Sequence, residues 1–140
     1  MKSKLTLFFI FLFVSAQSQK YANHWYFGCN SAIDFNSGVP VVLSNSAMCQ
    51  AEGCSSISDD AGNLLFYTDG STVWDNTHVT MANGVGLGGN ASSTQSALIV
   101  RQPGTTTTYY IFTTDGFNGG NGLQYNVVDM TQNGGLELLQ

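Results

Sequence analysis

Apolar and aromatic residues occur along this chain in short runs, and Gly, Asn, Asp, Ser and Thr separate the runs. After residue 19 no stretch repeats apolar residues at i, i+3, i+4 and i+7 over three turns, so the pattern indicates no helix. The runs are typical of β-strands bounded by turns. They are HWYFG (24–28), AIDFN (32–36), VPVVLS (39–44), CSSISD (54–59), NLLFYTD (63–69), STVWDN (71–76), HVTM (78–81), STQSALIVR (93–101), TTYYIFTTD (107–115), GLQYNVVDM (122–130) and a last run starting near Leu136. The pattern predicts an all-β fold.

Two segments of the chain resemble each other. SISDDAGNLLFYTDG (56–70) and LIVRQPGTTTTYYIFTTDG (98–116) both read as strand, turn, aromatic strand and then Thr-Asp-Gly, and the two triplets lie 46 residues apart. Propeller blades of four strands commonly repeat at about 40–50 residues. The repeat predicts an incomplete β-propeller-like array of four-stranded antiparallel blades, with two to three blades present. A small β-sandwich is the alternative.

The beginning of the chain has the layout of a secretory signal peptide. Residues 1–18 start with Lys2 and Lys4, continue with a mostly apolar run over 5–14, and end in small and polar residues around Ala16. The run is shorter than the ~20 apolar residues that span a bilayer, so we expect cleavage rather than a membrane anchor. We therefore expect a secreted or outer-surface protein with no stable membrane span after cleavage.

The remainder, residues 20–140, is predicted to be the amino-terminal part of a propeller-like domain, truncated relative to the whole polypeptide. About 120 residues hold two to three units of this period, whereas propellers close with about four to eight blades. The remainder of the same polypeptide is thus one expected partner.

Charge excludes one class of partner. Removal of the signal peptide leaves two bases, Lys20 and Arg101, against nine Asp and Glu residues, a formal net charge of 2 − 9 = −7. So few cationic side chains provide no footprint for a phosphate backbone. We expect no binding to nucleic acid.

The aspartates in the repeat are predicted to hold turns. An Asp that follows a strand and precedes Gly accepts backbone amides and stabilises the turn, whereas acid–base catalysis needs carboxylates that share a cleft. The predicted turn residues are Asp60, Gly62, Asp69, Gly70, Asp115 and Gly116. Ser58, Asp60 and Gly62 match part of the Asp-box hairpin of sialidase-type propellers, but Leu64 and Leu65 stand where its Thr and Trp would be. No catalytic residue, cofactor site or metal site is predicted.

Three cysteines remain in the mature chain, at positions 29, 49 and 54. Export permits a disulfide, and the short spacing makes Cys49 and Cys54 a candidate pair. Buried free cysteines are the other interpretation, and an odd count leaves at least one thiol unpaired.

Two long stretches of the chain resemble a known family. ANHWYFGCNSAIDFNSGVP (22–40) and the segment 52–104 are similar to the amino-terminal region of large surface or secreted proteins that gliding-type bacteria export by type IX secretion. The most specific parts are WYFG (25–28), ISDDAGNLLFYTDG (57–70) and STQSALIV (93–100). Those proteins often end in a gliding-motility-associated, type B sorting domain and carry PKD-like repeats. Cys29 departs from the family pattern.

The resemblance implies a propeller-like secreted domain with no catalytic residues to transfer. We expect a non-catalytic segment of a larger protein for adhesion or for binding an unknown surface glycan or protein. The alternative from another class is a fragment of a propeller-type polysaccharide hydrolase.

Overall fold

The structure, a computed structural model, describes residues 19–132 and the backbone of residues 137–139. Every regular element in these residues is a strand, which confirms the all-β class. The strands are β1 (His24–Phe27), β2 (Ser31–Asp34), β3 (Val41–Leu43), β4 (Ser55–Ser58), β5 (Leu64–Thr68), β6 (Thr72–Asp75), β7 (Thr80–Val85), β8 (Ala97–Arg101), β9 (Thr108–Thr114), β10 (Leu123–Asp129) and β11 (Glu137–Leu139). Each overlaps a run that the sequence predicts as strand, although β7 continues four residues beyond the predicted run HVTM.

The strands form three antiparallel units. The N-terminal sheet has the order β1-β2-β3, the first meander β4-β5-β6-β7, and the second meander β8-β9-β10-β11. One parallel bridge between Ala82 and Glu137 joins the fourth strands of the two meanders, so pairing alone connects them as one eight-stranded sheet. No unit closes on itself within the described residues. A β-sandwich therefore describes this arrangement as well as a propeller-like array does.

Two hydrophobic cores place the three units in a stack. The first core lies between the meanders and contains Phe66 and Val73 of one and Tyr109 and Ile111 of the other. The second core lies between the N-terminal sheet and the first meander. Its members are Tyr26, Ala32, Met48, Leu64 and Tyr67. Because both faces of the first meander are buried, this meander is the middle layer.

A β-bulge explains why Leu64 and Phe66, two residues apart on β5, contribute to different cores. Ile57 pairs with Phe66 while the next residue, Ser58, pairs with Leu64, so Leu65 is the extra residue on β5. An extra residue shifts the alternation of side chains by one position. Leu64 and Phe66 consequently face opposite sides, although a regular strand would place them on the same side.

The first strands of the three units lie side by side, and two serines of β4 join them. Ser56 Oγ donates a hydrogen bond to the His24 carbonyl (2.7 Å) and accepts one from the Tyr26 amide (3.2 Å). Ser55 Oγ accepts the Ile99 amide of β8 (3.3 Å). Backbone groups at these strand edges, which form no ladder between the sheets, are thus hydrogen-bonded to serine side chains.

The candidate pair Cys49–Cys54 is not formed. Cys49 bonds to Cys29 instead, because these two residues face each other in an antiparallel bridge flanked by the hydrogen bond from the Asn30 amide to the Met48 carbonyl. Cys54 is a free thiol at the edge of the second core, and burial raises its pKa.

Two predictions fall on residues that the structure does not describe. The signal peptide (1–18) lies outside the described residues, and so does the start of the last predicted run at Leu136.

The part of the chain that the structure describes contains no helix long and apolar enough to cross a membrane.

Candidate functional site

The first Thr-Asp-Gly turn, at residues 68–70, is held by its own aspartate. Asp69 Oδ1 accepts the amides of Ser71 (2.8 Å) and Thr72 (2.7 Å). Gly70 has φ +89°, a left-handed conformation that favours glycine. One carboxylate oxygen therefore satisfies two amides that the strand ladder leaves free.

The second Thr-Asp-Gly, at residues 114–116, encloses a longer loop. Asp115 Oδ1 accepts the Gly116 amide (2.8 Å), and Oδ2 accepts the Asn121 amide (3.1 Å) from the far end of the loop. The hydrogen bonds from Asn121 and Gly116 lower the pKa of Asp115. Gly116 does not have a positive φ, and a Cβ there would lie 2.9 Å from the Asn90 side chain. Its glycine thus serves close packing rather than a left-handed turn.

In the β4–β5 turn the carboxylate that holds the backbone is Asp59, not Asp60. Asp59 Oδ1 accepts the amides of Ala61 (2.9 Å) and Asn63 (2.8 Å), and Gly62 adopts φ +94°. Partial burial opposes ionisation of Asp59, but the donors of Asn63 and Ala61 outweigh it and its pKa is lowered.

Asp60 lies in the same turn and points away from it. Its Oδ1 makes an ion pair of 3.0 Å with Arg101 of β8. The pair joins the two meanders across their surface. The sequence identified the correct turn and the wrong carboxylate, because two adjacent aspartates satisfy the same pattern.

A second repeated motif was not predicted. The third strand of each meander ends in Asp-x-Thr, at Asp75–Thr77 and Asp129–Thr131. Asp75 Oδ1 accepts the Thr77 amide (2.7 Å) and hydroxyl (2.6 Å), and Asp129 Oδ1 accepts those of Thr131 (2.9 and 2.7 Å). The signal was present as DNT and DMT, but the second-copy insertion moves the motif away from the 46-residue spacing.

Carboxylates of the described residues are therefore largely engaged by the backbone. Six of the seven aspartates accept an amide of their own turn. They are Asp34, Asp59, Asp69, Asp75, Asp115 and Asp129. General acid–base work needs carboxylates directed at a substrate in a shared cleft, and these are directed at their own turns.

The fold does bring together a serine, a histidine and an aspartate. His24 Nδ1 lies 3.1 Å from Ser58 Oγ, and its Nε2 lies 3.7 Å from Asp34 Oδ1. Ser58 has no solvent-exposed surface, so no substrate reaches its hydroxyl. The His–Asp separation also exceeds a hydrogen bond. The group ties β1, β2 and β4 together and is not arranged for nucleophilic attack.

An opening lies on the outer face of the second meander, which carries Leu98, Val100, Phe112, Leu123 and Tyr125. Leu98 is 48 %, Leu123 71 % and Tyr125 63 % exposed. Rings of Tyr125 and Phe112 lie 6.3 Å apart between centroids. A cavity of about 620 Å³ lies beside this face, between Leu98, Phe112 and Leu123.

Some polar groups around this cavity already have partners. Thr114 Oγ1 bonds to the Gln95 carbonyl (2.8 Å) and to Ser93 Oγ (2.8 Å), and Asp115 holds its own loop. The lining also includes Ser92, Thr94 and Gln95, and its apolar part consists of Leu98, Phe112, Phe117 and Leu123. This apolar part fits an apolar protein surface.

The other aromatic residues divide between core and surface. Tyr26 and Trp74 both lie next to Tyr67 in the second core, with ring centroids 4.4 and 5.5 Å from it. Trp25 and Phe27 are exposed on the outer face of the N-terminal sheet. The described residues contain no group of three or more His, Cys, Asp or Glu side chains placed to hold a metal ion.

No protein-family model, curated protein or solved structure matches this chain.

Proposed function

We propose that this chain is a non-catalytic segment of a β-propeller in a larger secreted or cell-surface protein, which is exported by type IX secretion and serves adhesion or binding. The observation that carries the proposal is the use of the repeated aspartates. Asp69 and Asp115 stand at equivalent positions of two stacked meanders, and each carboxylate is engaged by amides of its own turn.

Stacking of the units supports the propeller part of this proposal. Three sheets follow one another in chain order, and their first strands lie side by side. Blades of a propeller follow the chain in the same way around an axis. A β-sandwich consists of two packed sheets, so it accounts for only two of the three sheets seen here.

Export and surface location rest on the amino-terminal segment and on the family resemblance. The charged start and short apolar run of residues 1–18 favour passage through the inner membrane. Low content of Lys and Arg fits a ligand that is not a polyanion.

Two assays on the mature protein test this function. Protease treatment of intact cells should degrade the protein, since it lies at the surface, while a periplasmic marker is spared. Purified protein should bind cells or surface glycans without releasing reducing ends. Protein that stays protected inside intact cells would contradict the surface assignment.

A propeller-type polysaccharide hydrolase is the second candidate, favoured by the cavity beside Asp115. It predicts that glycan is cleaved and that Asp115→Asn abolishes cleavage without loss of folding. Asp69→Asn is the matched control, because an asparagine oxygen at that turn still accepts both amides. A fluorophosphonate serine probe should leave the protein unlabelled, since Ser58 is buried.

A further inference from the structure

We propose that the outer face of the second meander is the docking surface for a further four-stranded antiparallel sheet of the same polypeptide. The inference rests on the proposed function, a repeated stack, and names the partner that its uncovered face takes.

Both meanders carry the same row of paired residues across their first three strands. The rows are Ile57–Phe66–Asp75 in the first meander and Leu98–Phe112–Tyr125 in the second. The spacing of each row from the Thr-Asp-Gly turn is identical: Phe66 precedes Asp69 by three residues and Phe112 precedes Asp115 by three. A sheet face is defined by such registers, so the two faces are equivalent.

The N-terminal sheet has a corresponding row, Tyr26–Ala32–Leu43. This row packs into the second core, where the first meander covers it. Each row up to this point is therefore covered by the sheet that follows it in the chain.

The row of the first meander is covered in the same way, whereas the row of the second meander is not. Ile57, Phe66 and Asp75 are buried, and the second meander contributes to the core that contains Ile57 and Phe66. Leu98 and Tyr125 of the third row are exposed. The established interface between sheets, continued by one step, places another sheet on this row.

Chemistry of the face agrees with such an occupant. Tyr110, Phe112 and Tyr125 form an aromatic cluster with centroids 6.1 to 6.3 Å apart. The exposed row and its described neighbours Val100, Tyr110 and Leu123 carry no charge. Two aspartates lie at the ends of this face: Asp115 has both oxygens engaged by its own loop, and Asp129 Oδ1 is held by Thr131. An apolar face of this kind exposed on a sheet is normally covered by a partner.

Accessibility of an introduced cysteine tests whether the face is covered. Leu123→Cys and the control Val79→Cys are placed in the mature protein isolated from its own cells, and each is treated with a polar maleimide. In this structure the two positions are similarly exposed, 71 % and 61 %. If a sheet covers the face, Leu123→Cys should react at least about tenfold more slowly than Val79→Cys, and urea should remove the difference.

The protein without an introduced cysteine measures the background labelling of the free thiol Cys54. Tyr125→Cys replaces Leu123→Cys if the latter variant fails to fold. Equal labelling rates at the face and at Val79 would show a bare face and overturn the inference. They would leave the surface and glycan assays untouched, so failure here is distinguishable from failure of the proposed function.

A benzophenone amino acid at position 123 of the mature protein identifies the occupant. The expected product is an intrachain cross-link to a peptide of the same polypeptide outside residues 19–140, with unchanged molecular mass. A cross-link to a second copy of the chain, to a different protein or to a glycan would overturn the proposal, because each identifies another occupant.

Discussion

Replacing Phe66 by alanine removes a side chain that has no exposed surface and lies between the two meanders. The ring packs edge-on against Tyr109 with centroids 5.5 Å apart. Truncation of a buried phenylalanine costs about 3–5 kcal/mol, through lost transfer free energy and the cavity left behind. We therefore expect Phe66→Ala to lower the free energy of unfolding of residues 19–140 by about 4 kcal/mol.

Phe112 is the matched control, since it occupies the equivalent register on the uncovered face. Its ring is only half-buried in this structure, so Phe112→Ala should cost about 1 kcal/mol. Urea unfolding followed by tryptophan fluorescence measures both, with Phe66→Leu as a milder variant if Phe66→Ala is unfolded. Equal losses for the two alanine variants in this chain would refute the difference in cover between these equivalent positions.

Three further predictions address the interior, the disulfide and pH. Thr113 is fully buried and its hydroxyl has no partner among the described residues, so Thr113→Val should raise the free energy of unfolding by about 1 kcal/mol in urea titration, and a loss would indicate a hidden partner. Cys29 and Cys49 close a loop of 20 residues, so replacing both with alanine should cost about 3 kcal/mol, whereas reducing agent should then have no effect on the variant. Asp115 has a lowered pKa in the folded chain. Its ionised carboxylate therefore stabilises the folded state above the unfolded pKa of about 4, and this stability is lost as pH falls through the folded pKa. Asp115→Asn should therefore flatten the acid limb of stability against pH, and an unchanged limb would contradict this.

Strands and their order were accessible from sequence because each is short, rich in β-formers and bounded by turn residues. β9 is the clearest case: its sequence TYYIFTT is made up of β-branched and aromatic residues and is bounded by turn residues. Its residues alternate between buried and half-buried in the structure. The repeat of Thr-Asp-Gly also marked equivalent points of the two meanders, although the two turns differ in loop length.

Pairings between distant residues were not accessible in the same way. Cys29 meets Cys49 because two loop segments form a bridge, and no local pattern specifies that meeting. The choice between Asp59 and Asp60 depends on backbone direction within one turn, which composition leaves open. Burial of Ser58 beside His24 likewise follows from how the first strands pack, since the two residues are 34 positions apart.

The structure of the full-length polypeptide would show directly whether another sheet covers the outer face of the second meander. The account predicts a further four-stranded sheet packed on Leu98, Phe112 and Tyr125, so that this row becomes as buried as Ile57 and Phe66 are here. A mature protein in which this row faces solvent, with the three sheets forming a closed sandwich by themselves, would contradict the account.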